Sequence, residues 1–174
     1  MELTQAFENR VLERLNAGKT VRSFLIAAVE LLTEAVNILV LQVFCKDDYA
    51  VKYAVEPLRD GDGPLGSLSV RLKLIYGLGV LSRPEYEDAE LLMALREELN
   101  HDGTEYGFTD DEILGPFGEL NCVSALPPVP LFDTSDPDLY AMQKQRYQQI
   151  VRSTMVLSLT ELISKISLKK AFQK

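Results

Sequence analysis

Hydrophobic side chains dominate one long stretch of the chain, from Thr20 to Cys45, which contains neither glycine nor proline. Placed on a helix, its polar side chains fall in one sector about 120° wide, and the rest of the helix surface is apolar. Such a helix is stable only when other helices cover most of it. The stretch therefore predicts a long buried helix over about 20–45. The polar sector consists of Arg22, Ser23, Glu30, Thr33, Glu34 and Asn37.

Helical spacing is also present on both sides of this stretch. Residues 3–16 predict a first helix, and Thr20 is expected to cap the long helix that follows. After the long helix, Asp47 or Asp48 is expected to cap a short helix that ends at Pro57, because a proline pushes the preceding residue out of the α region. Its predicted apolar face comprises Tyr49, Val51, Ala54 and Val55.

The leucine-rich segment after Pro64 predicts a further helix that ends at Gly77 or Gly79. A capping box then marks the next helix, with Ser82 at the cap and Glu85 three residues later, and this helix is expected to reach about Asn100. The apolar face of the first of these two helices is expected to comprise Leu68, Leu72, Ile75 and Leu78.

The sequence signals for helices are weaker between residues 109 and 125. Thr109 and Glu112 fit a second capping box, and Gly115-Pro116 is expected to interrupt the short helix that they start. Residues 117–125 then predict one or two more helical turns.

A proline-rich stretch over about 126–138 predicts an extended connection, followed by Asp136-Pro137 as the cap and first turn of a long C-terminal helix. That helix is expected to reach about residue 170, a length of about 50 Å. Val129, Leu131 and Phe132 are expected to cover the core, and a contact with a partner or second copy is the alternative. The predicted buried stripe of the helix is Val151, Met155, Leu159, Leu162 and Ile166.

These elements predict an all-α fold in which residues 1–174 form one compact helical bundle around the buried helix at about 20–45. No strand alternation competes with this interpretation. Leu39 is expected to lie in the core.

Composition narrows the function classes. The formal net charge of −8 excludes a protein that coats nucleic acid without specificity. The longest uncharged run of the central helix, residues 35–45, is too short for a membrane span of about 20 residues. The polar N-terminal residues do not resemble a signal peptide, and two cysteines predict no disulfide framework. We therefore expect a cytoplasmic protein without membrane contact.

The charge is unevenly distributed, with acidic residues concentrated between Pro84 and Ile113 and basic residues after Tyr140. The acidic segment predicts a surface for a basic protein partner. Its candidate residues are Glu85, Glu87, Asp88, Glu90, Glu97 and Glu98. The basic C-terminal end predicts weak contacts to phosphates or DNA. Its candidate residues are Lys165, Lys169, Lys170 and Lys174.

The sequence contains few residues that could catalyse a reaction or bind a metal. One histidine and two distant cysteines give no zinc spacing, and no motif for a cofactor is present, so neither metal nor cofactor is expected. One enzymatic alternative stays open. Arg96 and His101 have the R-x4-H spacing that resembles the HEPN ribonucleases, in which the arginine would stabilise phosphate charge and the histidine would transfer a proton.

The sequence contains no convincing helix-turn-helix. The helix after Ser82 would bring several carboxylates towards DNA phosphates, which is unfavourable. The turn between the first two helices carries Arg10, Arg14 and Lys19, which predict at most a phosphate-contacting patch.

Long blocks of the chain resemble the mannitol operon repressor family of enteric bacteria. The resemblance is carried above all by GPLGSLSVRLKLIYGLGVL (63–81), YEDAELLMALREELNHDG (86–103) and STMVLSLTELISKISLKKAFQK (153–174). The resemblance implies a helical repressor of the genes for mannitol uptake and conversion. It also implies that no recognisable DNA-binding motif and no catalytic residue is to be expected.

The resemblance and the charge pattern together give the functional hypotheses. Repression through a protein partner is the first hypothesis, and the partner would be another regulator, a polymerase component or a phosphotransferase-system protein. Direct DNA binding at the mannitol promoter through the basic C-terminal end of a homodimer is the second. An RNA-cleaving enzyme that uses Arg96 and His101 is the third.

Overall fold

The computed structural model describes residues 2–43, 49–59 and 63–169, and these ranges contain seven helices and no strand. The predicted all-α fold is thereby confirmed. The helices are α1 (Glu2–Ala17), α2 (Val21–Val43), α3 (Tyr49–Arg59), α4 (Leu68–Gly77), α5 (Arg83–His101), α6 (Asp111–Glu119) and α7 (Pro137–Leu168).

The central helix α2 is the axis of the core, as predicted. Helices α1, α4, α5 and α7 all pack against it, and Leu39 is fully buried. In contrast to the argument from its uncharged run, length and composition alone would allow α2 to cross a membrane, but most of its side chains are covered by protein. A burial pattern of this kind is that of a core helix in a helical bundle.

A tight turn joins α1 to α2. The Thr20 hydroxyl accepts a hydrogen bond from the Ser23 amide at 3.1 Å, and the Ser23 hydroxyl accepts one from the Thr20 amide at 3.1 Å. The predicted cap is therefore confirmed. A Cβ atom at Gly18 would lie 2.8 Å from the Cα atom of Phe24, so only glycine lets the two helices approach this closely.

Helix α3 departs from the prediction at Pro57. The helix continues through this proline to Arg59. Because Pro57 lies in the last turn, it removes only one backbone hydrogen bond, which a helix end tolerates. Tyr49 and Ala54 are exposed, so they do not form the expected buried face. The proposed caps Asp47 and Asp48 lie outside the described residues.

The connection from α4 to α5 matches the prediction closely. Gly79 has a φ of 76° and its amide bonds to the Tyr76 carbonyl, while the Val80 amide bonds to the Ile75 carbonyl. This is a Schellman motif, which needs a left-handed residue and therefore favours glycine. The Ser82–Glu85 capping box is also present at the start of α5. The predicted apolar face of α4 was wrong at one position, because Leu78 is half exposed.

Helix α6 was predicted incorrectly in three respects. It starts after Asp110 and not at Thr109, it continues through Gly115 and Pro116, and it ends at Glu119. Two buried side chains, Ile113 and Phe117, explain the continuation. They lie four residues apart on one face, so their burial holds the helix together around the proline.

Helix α7 has 32 residues, which corresponds to about 48 Å. The Asp136 carboxylate accepts from the amides of Asp138 and Leu139, and Pro137 occupies the first turn, as predicted. The preceding residues 120–136 contain no helix, which confirms the extended connection. All five residues of the predicted apolar stripe are buried.

Candidate functional site

The predicted acidic surface on α5 is smaller than the sequence indicated. Glu85 and Asp88 are only 5% and 2% exposed, so neither can contact a partner at the surface. Their spacing of three residues places both on the core-facing side of α5, together with Leu92. The sequence pattern did not reveal this because both residues have hydrogen-bond partners that come from distant parts of the chain.

Asp88 connects α5 to the segment after α6. Its Oδ1 atom accepts from the Asn121 amide at 2.6 Å, and its Oδ2 atom accepts from the Cys122 amide at 2.9 Å. Burial, followed by the nearby Asp88 charge, raises the pKa of the Cys122 thiol to about 12. The thiol therefore stays protonated and unreactive at neutral pH.

Glu85 connects the start of α5 to the end of α7. Its Oε1 atom accepts from the Ser82 amide at 3.1 Å and from the Lys169 ammonium at 2.7 Å. Burial tends to raise the pKa of Glu85, but the hydrogen bonds from Lys169 and Ser82 outweigh burial, so the pKa is lowered. Its Oε2 atom is buried and has no hydrogen-bond donor among the described residues.

Three of the predicted acidic residues are fully on the surface. Glu87 is paired with Arg83 at 2.7 Å, and this hydrogen bond lowers the pKa of Glu87. Glu97 and Glu98 are exposed near the C-terminal end of α5, and Glu90 is half buried. We call Glu97 and Glu98 together the acidic end of α5. Neither carboxylate forms an ion pair with Lys or Arg in the described chain.

The two residues with ribonuclease-like spacing do not form a joint site. His101 is exposed, and its Nε2 atom lies 3.0 Å from a carboxylate oxygen of Glu97. Arg96 is half buried, with an Nε atom that has no partner among the described residues. Five positions separate them on one helix, which corresponds to about 140° around the axis. The two side chains therefore leave α5 in different directions.

Three of the seven predicted basic residues are already engaged in ion pairs. Arg10 is paired with Glu34, Arg14 with Glu30 and Lys169 with Glu85. These partners come from α2 and α5, so the sequence did not show that the cations were occupied. Lys19 and Lys165 are exposed and have no ion pair within the described ranges. Lys170 and Lys174 lie outside those ranges.

An exposed apolar surface extends along α7 and the proline-rich segment, and the sequence pattern indicated only its proline-rich part. Residues 137–150 of α7, which we call the α7 arm, have Tyr147 as their one buried side chain. Phe132 packs on the arm, with ring centroids 5.5 Å from Tyr140 and 6.4 Å from Tyr147. Phe132 also packs against the core, as predicted, whereas Val129 and Leu131 are exposed and do not cover it, and Leu131 is 99% exposed. Further exposed apolar residues of the arm are Leu139, Met142 and Ile150.

A half-enclosed polar pocket of about 280 Å³ lies between α5, α7 and the segment after α6. Glu85 and Asp88 line it from α5, and Glu161 and Lys165 line it from α7. Its walls therefore contain three carboxylates and one ammonium group, which is an unfavourable setting for an anionic ligand.

Comparisons with known proteins identify the family of this chain. The family model "Mannitol repressor" matches residues 7–167. The chain belongs to the mannitol repressor family. A curated relative, the mannitol operon repressor of Escherichia coli strain K12, is 87% identical over 174 residues, which cover all of this chain and 89% of the relative.

Solved structures agree with the family assignment. The X-ray structure of the MtlR–HPr complex from Escherichia coli matches with a TM-score of 0.91 and 87% identity, and covers 94% of this chain and 99% of that chain. The crystal structure of YggD of Shigella flexneri, a possible transcriptional regulator, matches with a TM-score of 0.77 and 26% identity, and covers 91% of this chain and 98% of that chain.

One relative has an enzyme name. Fumarase E of Escherichia coli strain K12 is 27% identical over 165 residues, which cover 92% of this chain and 96% of the relative. Fumarate is a dianion, and a dianion needs several cations or amide donors around it. The polar pocket of this chain has the opposite charge balance, so this pocket is an unfavourable site for fumarate.

Proposed function

We propose that this cytoplasmic protein represses a mannitol-utilisation operon as a single helical domain, and that it does so through a protein partner related to HPr, a phosphotransferase-system protein. The observation that carries this proposal is the 87% identity to a mannitol operon repressor whose structure is known in complex with HPr. The engagement of Arg10, Arg14 and Lys169 in ion pairs also favours a protein partner over direct DNA contact.

The acidic end of α5 supports the choice of a partner-binding surface. Glu97 and Glu98 are exposed and are not neutralised by a Lys or Arg of the described chain. Charges of this kind accelerate association with a basic surface. The double variant Glu97→Lys, Glu98→Lys is expected to weaken HPr binding at least tenfold in titration calorimetry, mainly through slower association.

A charge reversal elsewhere serves as the control. Glu119→Lys changes an exposed carboxylate at the end of α6, away from the acidic end of α5, and is expected to leave HPr affinity unchanged. A loss of binding free energy in Glu119→Lys about half as large as in the double variant would show that only net charge matters, because it changes half as many charges. Absence of HPr binding by the unmodified protein would overturn the proposed partner.

Direct DNA contact is the second candidate, and the exposed Lys165 and Lys19 favour it. Few cations per chain would then have to act together in a homodimer. A salt titration with the mannitol promoter separates the two mechanisms, because direct contact predicts that log affinity falls steeply with log salt. Weak binding with little dependence on salt would support the protein partner.

Ribonuclease activity is tested by one substitution. His101→Ala is expected to leave repression of a mannitol-promoter reporter unchanged, because the histidine is exposed and, among the described residues, has a side-chain hydrogen bond with Glu97 alone. Loss of repression together with loss of RNA cleavage would contradict the non-enzymatic mechanism.

A further inference from the structure

We propose that two copies of this chain pair along α7 in antiparallel orientation, so that the arm of each copy lies in a groove on the other copy. The proposal begins with a second apolar stripe on α7, which lies opposite the buried stripe and which we call the outer stripe. At about 100° per residue, its members fall in a sector about 80° wide. They are 38% to 67% exposed, and they are Leu139, Met142, Ile150, Leu157 and Leu168.

The outer stripe has no cover within one chain. Helices with apolar side chains on two opposite sides are normally covered on both sides. Helices α1 and α2 pack against the inner side of α7, whereas the outer stripe is exposed. It extends from residue 139 to residue 168, a length of about 44 Å. A continuous exposed apolar surface of this length indicates an interface.

The order of residues in the outer stripe identifies a second copy as the partner. The stripe is symmetric about a midpoint at 153–154. Leu139 and Leu168 lie equally far from this midpoint, and so do Ile150 and Leu157. When two α7 helices pack antiparallel with their midpoints together, Leu139 faces the second copy of Leu168, and Ile150 faces the second copy of Leu157. Self-complementarity of this kind is what a two-fold contact between identical chains requires.

The charges beside the outer stripe follow the same symmetry. Arg146 and Glu161 also lie equally far from the midpoint, and both are exposed without an ion pair in the described chain. In the antiparallel dimer, Arg146 of each copy faces Glu161 of the other. A parallel dimer would instead place arginine beside arginine and glutamate beside glutamate, which is unfavourable. The charges therefore favour the antiparallel orientation.

An open groove beside the packed half of α7 can receive the arm of the second copy. The groove has a volume of about 630 Å³ and lies between α1 and α7. Its apolar lining comes from Leu12, Leu157 and Leu168. Each copy thus supplies one arm and one groove, so the two contacts close the dimer and leave no groove for a third copy. The proline-rich segment packs beside the arm and would lie at the edge of this contact.

The size of the contact predicts a reversible dimer. Two helix faces of about 44 Å by about 10 Å bury on the order of 1,000 Å² in total. This area is near the lower limit for a specific interface. We therefore expect a dissociation constant on the order of 1–100 μM.

The first test is sedimentation equilibrium of the full chain at concentrations from about 1 to about 300 μM. We expect a monomer–dimer equilibrium. Ile150→Asp and Leu157→Asp each place two carboxylates at the centre of the contact and are expected to weaken the dimer about tenfold or more. Val70→Asp changes a similarly exposed apolar residue on α4 and is the matched control, with an unchanged dissociation constant. A chain that stays monomeric throughout, or equal weakening in all three variants, would overturn the proposal.

The second test exchanges the charged pair and examines the orientation. Arg146→Glu and Glu161→Arg are each expected to weaken the dimer about tenfold, because each places like charges opposite one another. The double variant with both substitutions restores opposite charges and should dimerise like the unmodified protein. Unchanged dimerisation in the single variants, or no recovery in the double variant, would overturn the antiparallel pairing. The substituted side chains are exposed, so the fold should be retained, and circular dichroism verifies the helical content of each variant.

Discussion

The two halves of α7 follow the same helical geometry but have opposite environments. Residues 151–166 bury a continuous stripe against α1 and α2, whereas the α7 arm buries only Tyr147. The first half stabilises the fold, and the arm with the proline-rich segment presents apolar groups to solvent. One uninterrupted helix can thus serve as core and as exposed surface, because burial depends on neighbours and not on helix formation.

The largest expected difference comes from two methionines of this helix. Met155 is fully buried in the packed half, and Met142 is 67% exposed in the arm. Met155→Ala is expected to lower the free energy of unfolding by about 2–5 kcal/mol, since it leaves a cavity. Met142→Ala is expected to change it by less than about 0.5 kcal/mol. Urea denaturation measures both values, and similar values would remove the contrast between the halves.

A pair of arginines gives the next largest difference. Arg152 donates to the carbonyl oxygens of Asn16 and Gly18 at the C-terminal end of α1, with one distance to Gly18 of 2.9 Å. Arg152→Ala is expected to lower the free energy of unfolding by about 1–3 kcal/mol, because it leaves these carbonyls without a donor. Arg146 is exposed in the arm and has no hydrogen bond to a described residue. Arg146→Ala should therefore be nearly neutral in the same urea experiment.

Two helix caps sharpen the comparison further. Ser82 caps α5, which packs against α2, and Asp136 caps the arm end of α7. Ser82→Ala is expected to reduce global stability by about 1 kcal/mol. Asp136→Ala is expected to fray the arm instead, with faster amide hydrogen exchange over residues 138–142 and little change in the unfolding midpoint. A global loss in Asp136→Ala as large as that in Ser82→Ala would show that the arm is part of the cooperative core.

The smallest expected effect concerns acid. Glu85 at the packed end and Asp133 beside the arm both have lowered pKa values. In Glu85 the effect of burial is outweighed by Lys169 and Ser82, and in Asp133 the hydrogen bonds from Ser135 lower the pKa. A carboxylate with a lowered pKa in the folded state stabilises the fold above its unfolded pKa, and this stability is lost as pH falls through the folded pKa. Thermal melts below pH 4.5, the ordinary pKa of a glutamate side chain, should therefore become less pH-dependent in Glu85→Gln.

Asp133→Asn is the control for this acid effect. Asp133 is exposed, so its charge is screened by solvent and its replacement should change the pH dependence less than Glu85→Gln. A larger effect of Asp133→Asn would mean that the segment beside the arm, and not the contact between α5 and α7, governs acid sensitivity.

Self-association of the chain is also expected to depend on the arm and the proline-rich segment beside it. A homodimer stays a prediction, and the exposed Leu131 and Met142 are the apolar residues that such a contact would cover. Sedimentation experiments on the Leu131→Asp variant and on the unmodified protein measure their oligomeric states. We expect a shift towards monomer, and an unchanged oligomeric state would place the contact elsewhere.

The candidate sites were less predictable than the helices. The acidic segment at 85–98 was found from sequence, but only Glu87, Glu97 and Glu98 lie fully at the surface, whereas Glu85 and Asp88 are buried. Their burial depends on Lys169, Asn121 and Cys122, which lie more than 30 positions away along the chain. The sequence contains no local signal for such partners.

The sequence by itself determined the helical class and the central helix α2. It also determined the cap at Thr20, the capping box at Ser82 and the start of α7 at Asp136. These features follow from the sequence because periodicity and capping act between residues three or four positions apart. Only the tertiary structure decided that Pro116 lies within a helix, that two carboxylates of α5 are buried and that the arm is exposed. These features depend on contacts between distant residues, whose energies override local preference.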